Sequence, residues 1–537
     1  MSAEQASSDD ILSNSNVQRP LVDFPSNIWG DQFLNYHFDE TAYGRKEKKV
    51  QVLKEEVKRK LLRLADDPLM QLKLIDTIQR LDIAYHFEME IEEALQRIYD
   101  DHQHHLQYDN LYNISLFFRI LRQDGFNISS DVFNKFKDDN GNFKGSLITD
   151  VRGMLELYEA AQLSVRGEEV LDEALDFTTT QLKGIAPSIK QYPLAAQVSR
   201  ALKQKLRYGI PRLEAKHFMS IYQDMASHNK DLLKLAKIDF DLLQSLHRKE
   251  ISMLTRWWKD LGLAENMPYA RDRLVECYCW SLSVYFEPKY SFARCLLAKV
   301  ITINTVLDDL YDAFGTLEEL MLFTDAINRW DISFMVQLPI YMRKFYKANL
   351  DCFKEIEDEM AKRGQAYRSH YTIEAWKSLV RGYFKEAQWC NANYIPTVEE
   401  HYEVSVLVTS TCHALISAIF VGMDETVTKE TFEWTGKDPK IASKMVKASS
   451  IVFRLMDDIV GHKEGSCKSM EGYERSIPET TEMPKPILMR VLNFARVMDV
   501  IYIENDDFTN LGTPLTDAVT SFLIDELPNE DDDDDQP

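Results

Sequence analysis

The sequence is poor in the residues that punctuate a fold, with 19 glycines and 17 prolines among 537 residues, well under the usual combined share of about 12%. Few breaks leave long uninterrupted segments, so a helix-rich protein is expected. Cysteine is also scarce. The seven thiols (277, 279, 295, 352, 390, 412 and 467) are odd in number, irregularly spaced and contain no CxxC pair, which excludes a disulfide frame and a zinc site. Positive charge is in deficit: 63 Lys and Arg stand against 86 Asp and Glu, for a net charge of −23. Such a field repels nucleic acid and anionic lipid, so neither is an expected partner. An anionic small molecule stays compatible, because bound cations invert the local sign. The N-terminal residues MSAEQASSDD offer no apolar or Arg-rich targeting segment, and a cytoplasmic protein is expected. P-loop, GxGxxG and GxSxG motifs are all missing, removing the common nucleotide and hydrolase chemistries.

What is present is helical periodicity. Leu53, Val57, Leu61 and Leu64 recur at steps of four, four and three among lysines and glutamates, the pattern of one apolar helix stripe. Similar patterns run through 73–99, 150–162, 168–182 and 192–206. No sustained alternation suggests a large sheet. KDDNGNFKGS (137–146) lacks the Gly and Glu register of a calcium loop and reads as a turn. Residues 406–423 carry no Asp, Glu, Lys or Arg, but Thr409, Ser410, Thr411, Cys412, His413 and Ser417 make a buried helix the better reading than a membrane span. At this length two or more domains are expected. The boundaries are placed at a leader 1–20, an N-terminal domain 21–230, a C-terminal domain 231–528 and an acidic tail 529–537, with the junction near 226–236.

Three constellations carry chemistry. In VLDDLYDAF, Asp308 and Asp312 lie four residues apart on one helix face, with Asp309 beside them, after an almost wholly apolar helix. Hard carboxylate oxygens suit magnesium, and charges closing a buried helix need a partner to offset desolvation. Arg454, Asp457 and Asp458 end a second apolar helix, and Arg271 and Arg273 form an RDR tripeptide. Guanidinium groups match diphosphate oxygens in bidentate fashion. Singly, each arginine is better read as one half of a surface ion pair. Together, the two acidic helix ends and the separate arginines point to magnesium bridging a diphosphate.

With RPLVDFPSNIWGDQF (19–33), RWWKDLGL (256–263), RDRLVECYCWSLSVYFEP (271–288), DDLYD (308–312), RLMDDIVGHK (454–463) and RVLNFARVMDVIYIENDD (490–507) in this order, the chain resembles plant class I terpene synthases, the cytosolic sesquiterpene synthases in particular. The resemblance implies an all-α protein, with a non-catalytic N-terminal α-barrel and a C-terminal class I terpenoid fold. It implies a monomer, without integral membrane association, that cyclises farnesyl diphosphate, or geranyl diphosphate as a second substrate. The cofactor implied is three magnesium ions, or manganese in their place. Asp308, Asp309 and Asp312 match the first metal motif; Asp457 and Asp458 open the second. Arg271, Arg273 and Arg454 match the arginines that draw in the diphosphate. Trp280 matches a cavity-wall aromatic, Thr409 and Ser410 lie on the pocket helix with a break, and Tyr502 and Asp506 match C-terminal lid residues. Phe508 replaces a lid tyrosine. His102, His104 and His105 carry no metal role in the resemblance.

The second metal motif departs from the family. Its positions after Asp457 are Gly461 and Gly465, where a hydroxyl and a carboxylate are expected. Glu464 lies about 20° off the same helix face and is the substitute ligand. The segment that follows is shorter than usual, so a catalytically weak or inactive variant is the alternative. A trans-prenyltransferase would need a second DDxxD, which DDIVG does not supply. An acid-initiated cyclase would need DxDD, which the sequence lacks. A non-enzymatic helical scaffold would leave the acidic helix ends and RDR unexplained.

Overall fold

The computed structural model describes residues 24–101, 110–263, 267–436, 438–461, 483–502 and 505–527. The leader 1–20, the histidines at 102, 104 and 105, Glu464 and the acidic tail 529–537 lie outside them. Among the described residues there is no β-strand, only one isolated antiparallel bridge between Lys137 and Phe143. There the Asp138 carboxylate accepts from the Asn140 and Asn142 amides, so this stretch is the expected turn.

By contacts the described residues form two units, one of 39–245 and 524–527, the other of 24–38, 246–461 and 483–523. Counting α-helices of seven residues or more among the described residues, the first contains α1 Glu40–Arg63, α2 Pro68–Arg80, α3 Glu88–Asp100, α4 Leu111–Gln123, α5 Val151–Ala161, α6 Glu169–Ile185, α7 Leu194–Lys203 and α8 Pro211–Tyr222. Asp39 caps α1 by accepting from the Thr41 and Ala42 amides, and the helix buries Val50, Val57 and Leu61, the predicted stripe. The stretch 73–99 is not one helix but two. The chain turns at Asp82, with φ of 57°, and at a short 3₁₀ turn, Ala84–His86, because Leu81, Ile83 and Phe87 are all pulled into the core. The core also holds charge. Arg119, 1% exposed, donates to Glu156 at 2.6 Å and Asp76 at 2.8 Å, and Arg80 reaches Asp76 at 3.0 Å. Burial pushes the Glu156 carboxyl up to about 7.

The long helix α9, Lys230–Leu261, contains the division between the two units, at Ser245 and Leu246. Beyond it lie α10 Leu274–Val284, α11 Ser291–Asp309, α12 Leu317–Arg329, α13 Ile340–Lys362, α14 Tyr367–Asn391, α15 Cys412–Val421, α16 Lys429–Thr435, α17 Lys444–Gly461, α18 Lys485–Arg496 and α19 Thr513–Leu523. Every residue of α10 and α15 is buried, which is why their sequences are apolar all round. The apolar stretches Pro288–Phe314 and Val398–Val421 are long enough to cross a membrane, yet 78% and 89% of their apolar windows lie inside the protein. The second is not a single α-helix. A π-helical segment, Tyr402–Thr409, is followed by Thr411 in the left-handed region (φ 66°), and α15 starts after it. Gly382 of α14 permits close approach here. A Cβ at that position would meet Val408 Cγ1 at 2.8 Å and Thr409 Cγ2 at 2.9 Å.

Candidate active site

The C-terminal ends of two apolar helices bring acidic residues to one cavity. α11 delivers Asp308 and Asp309, and the π-helical turn Leu310–Phe314 that continues it places Asp312. α17 delivers Arg454 and Asp457. These residues line about 340 Å³ of free space together with Phe24, Arg271, Trp280, Ile301, Asn304, Tyr383, Thr409, Ser410, Phe453, Tyr502, Asp506, Phe508 and Thr509, a volume in the small-molecule range of roughly 300–1,000 Å³. Eleven of the fifteen expected site residues are therefore brought together from segments far apart in sequence.

The carboxylates of the site crowd one another in a dry wall. Burial, then Asp308 and Glu386, push Asp312 well up; burial is also the first cause that raises Asp457 to about 6, with Asp506 and Asp308 adding to it. Asp309 is raised to about 6 by burial in spite of Arg271. Such a cluster is pushed toward its neutral form, because burial and mutual repulsion both penalise the charged carboxylates. Arg271 is the one guanidinium locked onto the first motif: its Nε donates to Asp309 Oδ1 at 2.8 Å, an Nη to Asp308 Oδ2 at 2.7 Å, and its backbone N–H to Asp309 Oδ2 at 2.7 Å. Both Asp309 oxygens are thus engaged by arginine, which sets this residue apart from Asp308 and Asp312. On the facing helix Arg454 pairs with Asp458 at 2.8 Å, and His401 approaches the other Asp458 oxygen at 3.4 Å.

Two expected site residues are placed elsewhere. Asp458 does not line the cavity, because its oxygens face Arg454 and His401. Arg273, expected beside Arg271, is fully buried away from the cavity, with its guanidinium turned to backbone carbonyls. Gly461 is the last residue of α17.

The remaining wall is aromatic. Trp280 is stacked between Phe453 at 5.7 Å and Phe494 at 5.6 Å, with Phe508 edge-on at 6.1 Å. Tyr502 meets Phe453 edge-on at 5.8 Å. Asp506 does not stand free: its Oδ1 accepts from the Phe508 and Thr509 amides, at 3.1 and 3.0 Å, and shapes the turn. Thr409 Oγ1 donates to Glu386 at 2.9 Å, whereas Ser410 Oγ is buried without a partner.

Among the residues at or behind the cavity wall that escaped the sequence reading are Glu386, Tyr383 and Phe24. Glu386 of α14 is raised by burial although Ser405 and Thr409 both donate to it, and it acts electrostatically on Asp308 and Asp312. Tyr383, one turn earlier, stacks on Tyr311 at 5.8 Å. Phe24 comes from the N-terminal segment and lies 5.0 Å from the Arg271 guanidinium. Glu386 follows YxxE, a pattern too common to single out; Phe24 is silent without the fold.

Comparison with known proteins agrees with this geometry. Residues 259–478 match the terpene synthase family metal-binding domain, and 28–202 match the terpene synthase N-terminal domain. Sesquiterpene synthase 2 of Toona sinensis is 49% identical over 95% of this chain and 97% of its own. The (-)-germacrene D synthase of Vitis vinifera is 50% identical over 95% and 96%. Among solved structures, isoprene synthase from grey poplar leaves in complex with three Mg2+ ions and dimethylallyl-S-thiolodiphosphate superposes with a TM-score of 0.81 at 30% identity, covering 93% of this chain and 99% of that one. Limonene synthase with 2-fluorolinalyl diphosphate gives 0.85 at 28% identity, over 95% and 100%. The chain belongs to the terpene synthase family, among the plant sesquiterpene synthases, and is a lyase acting on a prenyl diphosphate.

Proposed function

We propose that the protein ionises farnesyl diphosphate with magnesium and cyclises the resulting cation to a sesquiterpene, as a cytoplasmic monomer without integral membrane association. The observation that carries this reading is the acidic pair of helix ends facing each other across an aromatic cavity. Asp308 and Asp312 supply hard oxygens on one side and Asp457 on the other, a donor set that fits magnesium, with manganese as a substitute; Glu386 stands behind them, accepting from Ser405 and Thr409. Among the described residues no three His, Cys, Asp or Glu side chains are grouped so as to hold a metal ion by themselves. When bound, the three magnesium ions neutralise the leaving diphosphate.

The protein's own groups do the rest. Arg271 and Arg454 present guanidinium groups toward the same space and stabilise negative charge as it develops on the leaving oxygen. With the carbon–oxygen bond broken, the electron pair leaves with diphosphate and the allylic carbon is left cationic. The aromatic side chains of Phe453, Tyr383 and Tyr502 attract that cation, and Trp280, packed between Phe453 and Phe494, holds that wall in place. The irregular backbone at 409–411 adds oriented dipoles. The cavity accepts geranyl diphosphate by the same chemistry, with less of the aromatic wall used.

The test is incubation of the purified protein with farnesyl and geranyl diphosphates and magnesium, followed by gas chromatography. A cyclic fifteen-carbon hydrocarbon that disappears on adding EDTA is expected. Diphosphate release without magnesium, or turnover of geranyl diphosphate alone, would sink the reading.

A further inference from the structure

Arg273 is completely buried, yet it does not use a carboxylate as its anchor. Its Nε donates to the Phe508 carbonyl at 2.9 Å, Nη1 to its neighbour Asp272 at 3.0 Å, and Nη2 to the Pro25 carbonyl at 2.9 Å and the Thr509 carbonyl at 3.0 Å. Backbone carbonyls from three separate segments converge on one guanidinium. Only a planar fork of five N–H donors can meet four acceptors in this way.

The segments so joined are those that carry Phe24, Phe508 and Thr509 into the cavity wall. Neighbouring bonds run the same way. Asn27 donates to Asp272 at 3.0 Å, and the Trp29 indole N–H donates to Glu276 at 2.7 Å. Thr509 accepts from Arg271 at 2.7 Å. Thus the two arginines of RDR divide the work: Arg271 faces the acidic cluster, and Arg273 faces away from it.

We infer that Arg273 is a positioning residue that clasps the Phe24–Trp29 segment to the Asp506–Asn510 turn and so keeps water out of the cavity while a cation is present. The inference rests on the carbocation chemistry proposed above. A sealed cavity lets the cation lose a proton from carbon to the released diphosphate, giving a hydrocarbon. In a leaking one, a water oxygen forms a C–O bond to the cation and loses a proton to the same diphosphate, giving an alcohol. Both routes balance, and they share the ionisation step. Loosening the clasp therefore changes the product ratio and leaves the rate of diphosphate release almost untouched.

Arg273→Lys keeps the charge and removes the fork. Two readouts apply to the full-length protein. Amide exchange at residues 24–29 and 508–510 is expected to rise together by about tenfold, the scale for losing such bonds in a local opening. That measurement needs no substrate, so it separates the clasp from the proposed reaction. In turnover with magnesium and farnesyl diphosphate, diphosphate release and KM are expected to stay within about threefold, while the alcohol share rises and incorporates ¹⁸O from labelled water. Phe24→Ala, which leaves the clasp bonds in place, should raise the alcohol share as well. Diphosphate release reduced by about 10²-fold with an unchanged product ratio would show that Arg273 holds the leaving group. Unchanged exchange in either segment would overturn the clasp. Unchanged product ratios in both variants would overturn the seal.

Discussion

Asp308→Ala removes an oxygen donor from a side chain that is 31% exposed, so the packing of α11 survives and turnover should be abolished. Circular dichroism unchanged with product formation lost is the expected pair of results; normal turnover with magnesium would show that Asp308 holds no metal. Glu386→Gln keeps an oxygen to accept from Ser405 and Thr409 but loses the charge. The magnesium concentration for half-maximal rate should then rise by about tenfold or more, and an unchanged requirement would leave Glu386 a purely structural acceptor. Arg271→Ala or Arg454→Ala should slow ionisation by about 10²-fold, measured in single-turnover diphosphate release. At this scale the sequence was readable where chemistry comes as a cluster. Asp308 and Asp312 announce themselves by four-residue spacing at the end of an apolar helix. Glu386 is a single carboxylate on a long amphipathic helix, and its meaning arises only when α14 is laid against α11. For Arg273, the residue type was legible and its direction was not, because a buried guanidinium satisfied by carbonyls leaves no pattern in sequence.

Helices were legible as periodicity, their interruptions much less so. The turn between α2 and α3 uses Asp82, Tyr85 and His86, and contains neither Gly nor Pro, so no punctuation marked it. The apolar run at 406–423 shows the converse: its burial follows from composition, whereas the π-helical start and the left-handed Thr411 depend on α14 pressing from one side. Gly382 is the point of that pressure. Gly382→Ala forces a methyl group to within 2.8–2.9 Å of Val408 and Thr409, so it must shift the π segment and the Glu386–Thr409 hydrogen bond. We expect a product distribution altered more than the melting temperature. A destabilisation of about 1–3 kcal/mol is the scale of overpacking, and an unchanged product profile would mean that the 409–411 backbone does not touch the cation.

For the molecule as a whole, two buried charge clusters set the response to pH and mutation. Arg119→Ala strands Glu156 without its counter-charge and leaves Asp76 to Arg80 alone, and should cost about 3–5 kcal/mol in urea unfolding; a loss below about 1 kcal/mol would show that water enters the cluster. In the second cluster Asp309 and Asp457 are each raised to about 6 by burial, against an ordinary value near 4. The metal-free folded form binds these protons more tightly than the unfolded chain. Their contribution to stability is therefore full below about pH 4 and is lost as pH rises through about 6. Melting of the metal-free protein should decline across that window, and magnesium should restore the lost stability above pH 6. A flat profile without magnesium would mean that neither carboxyl is held dry. One further consequence concerns where the gene is shortened. The N-terminal domain match begins at residue 28, an obvious starting point for a trimmed recombinant enzyme. Such a protein would retain every helix from Glu40 onward and lose Phe24 and Pro25, one a tile of the reaction chamber and the other a grip for Arg273. Yield and solubility would pass inspection while the scent profile changed, so the choice of start codon becomes a choice of product.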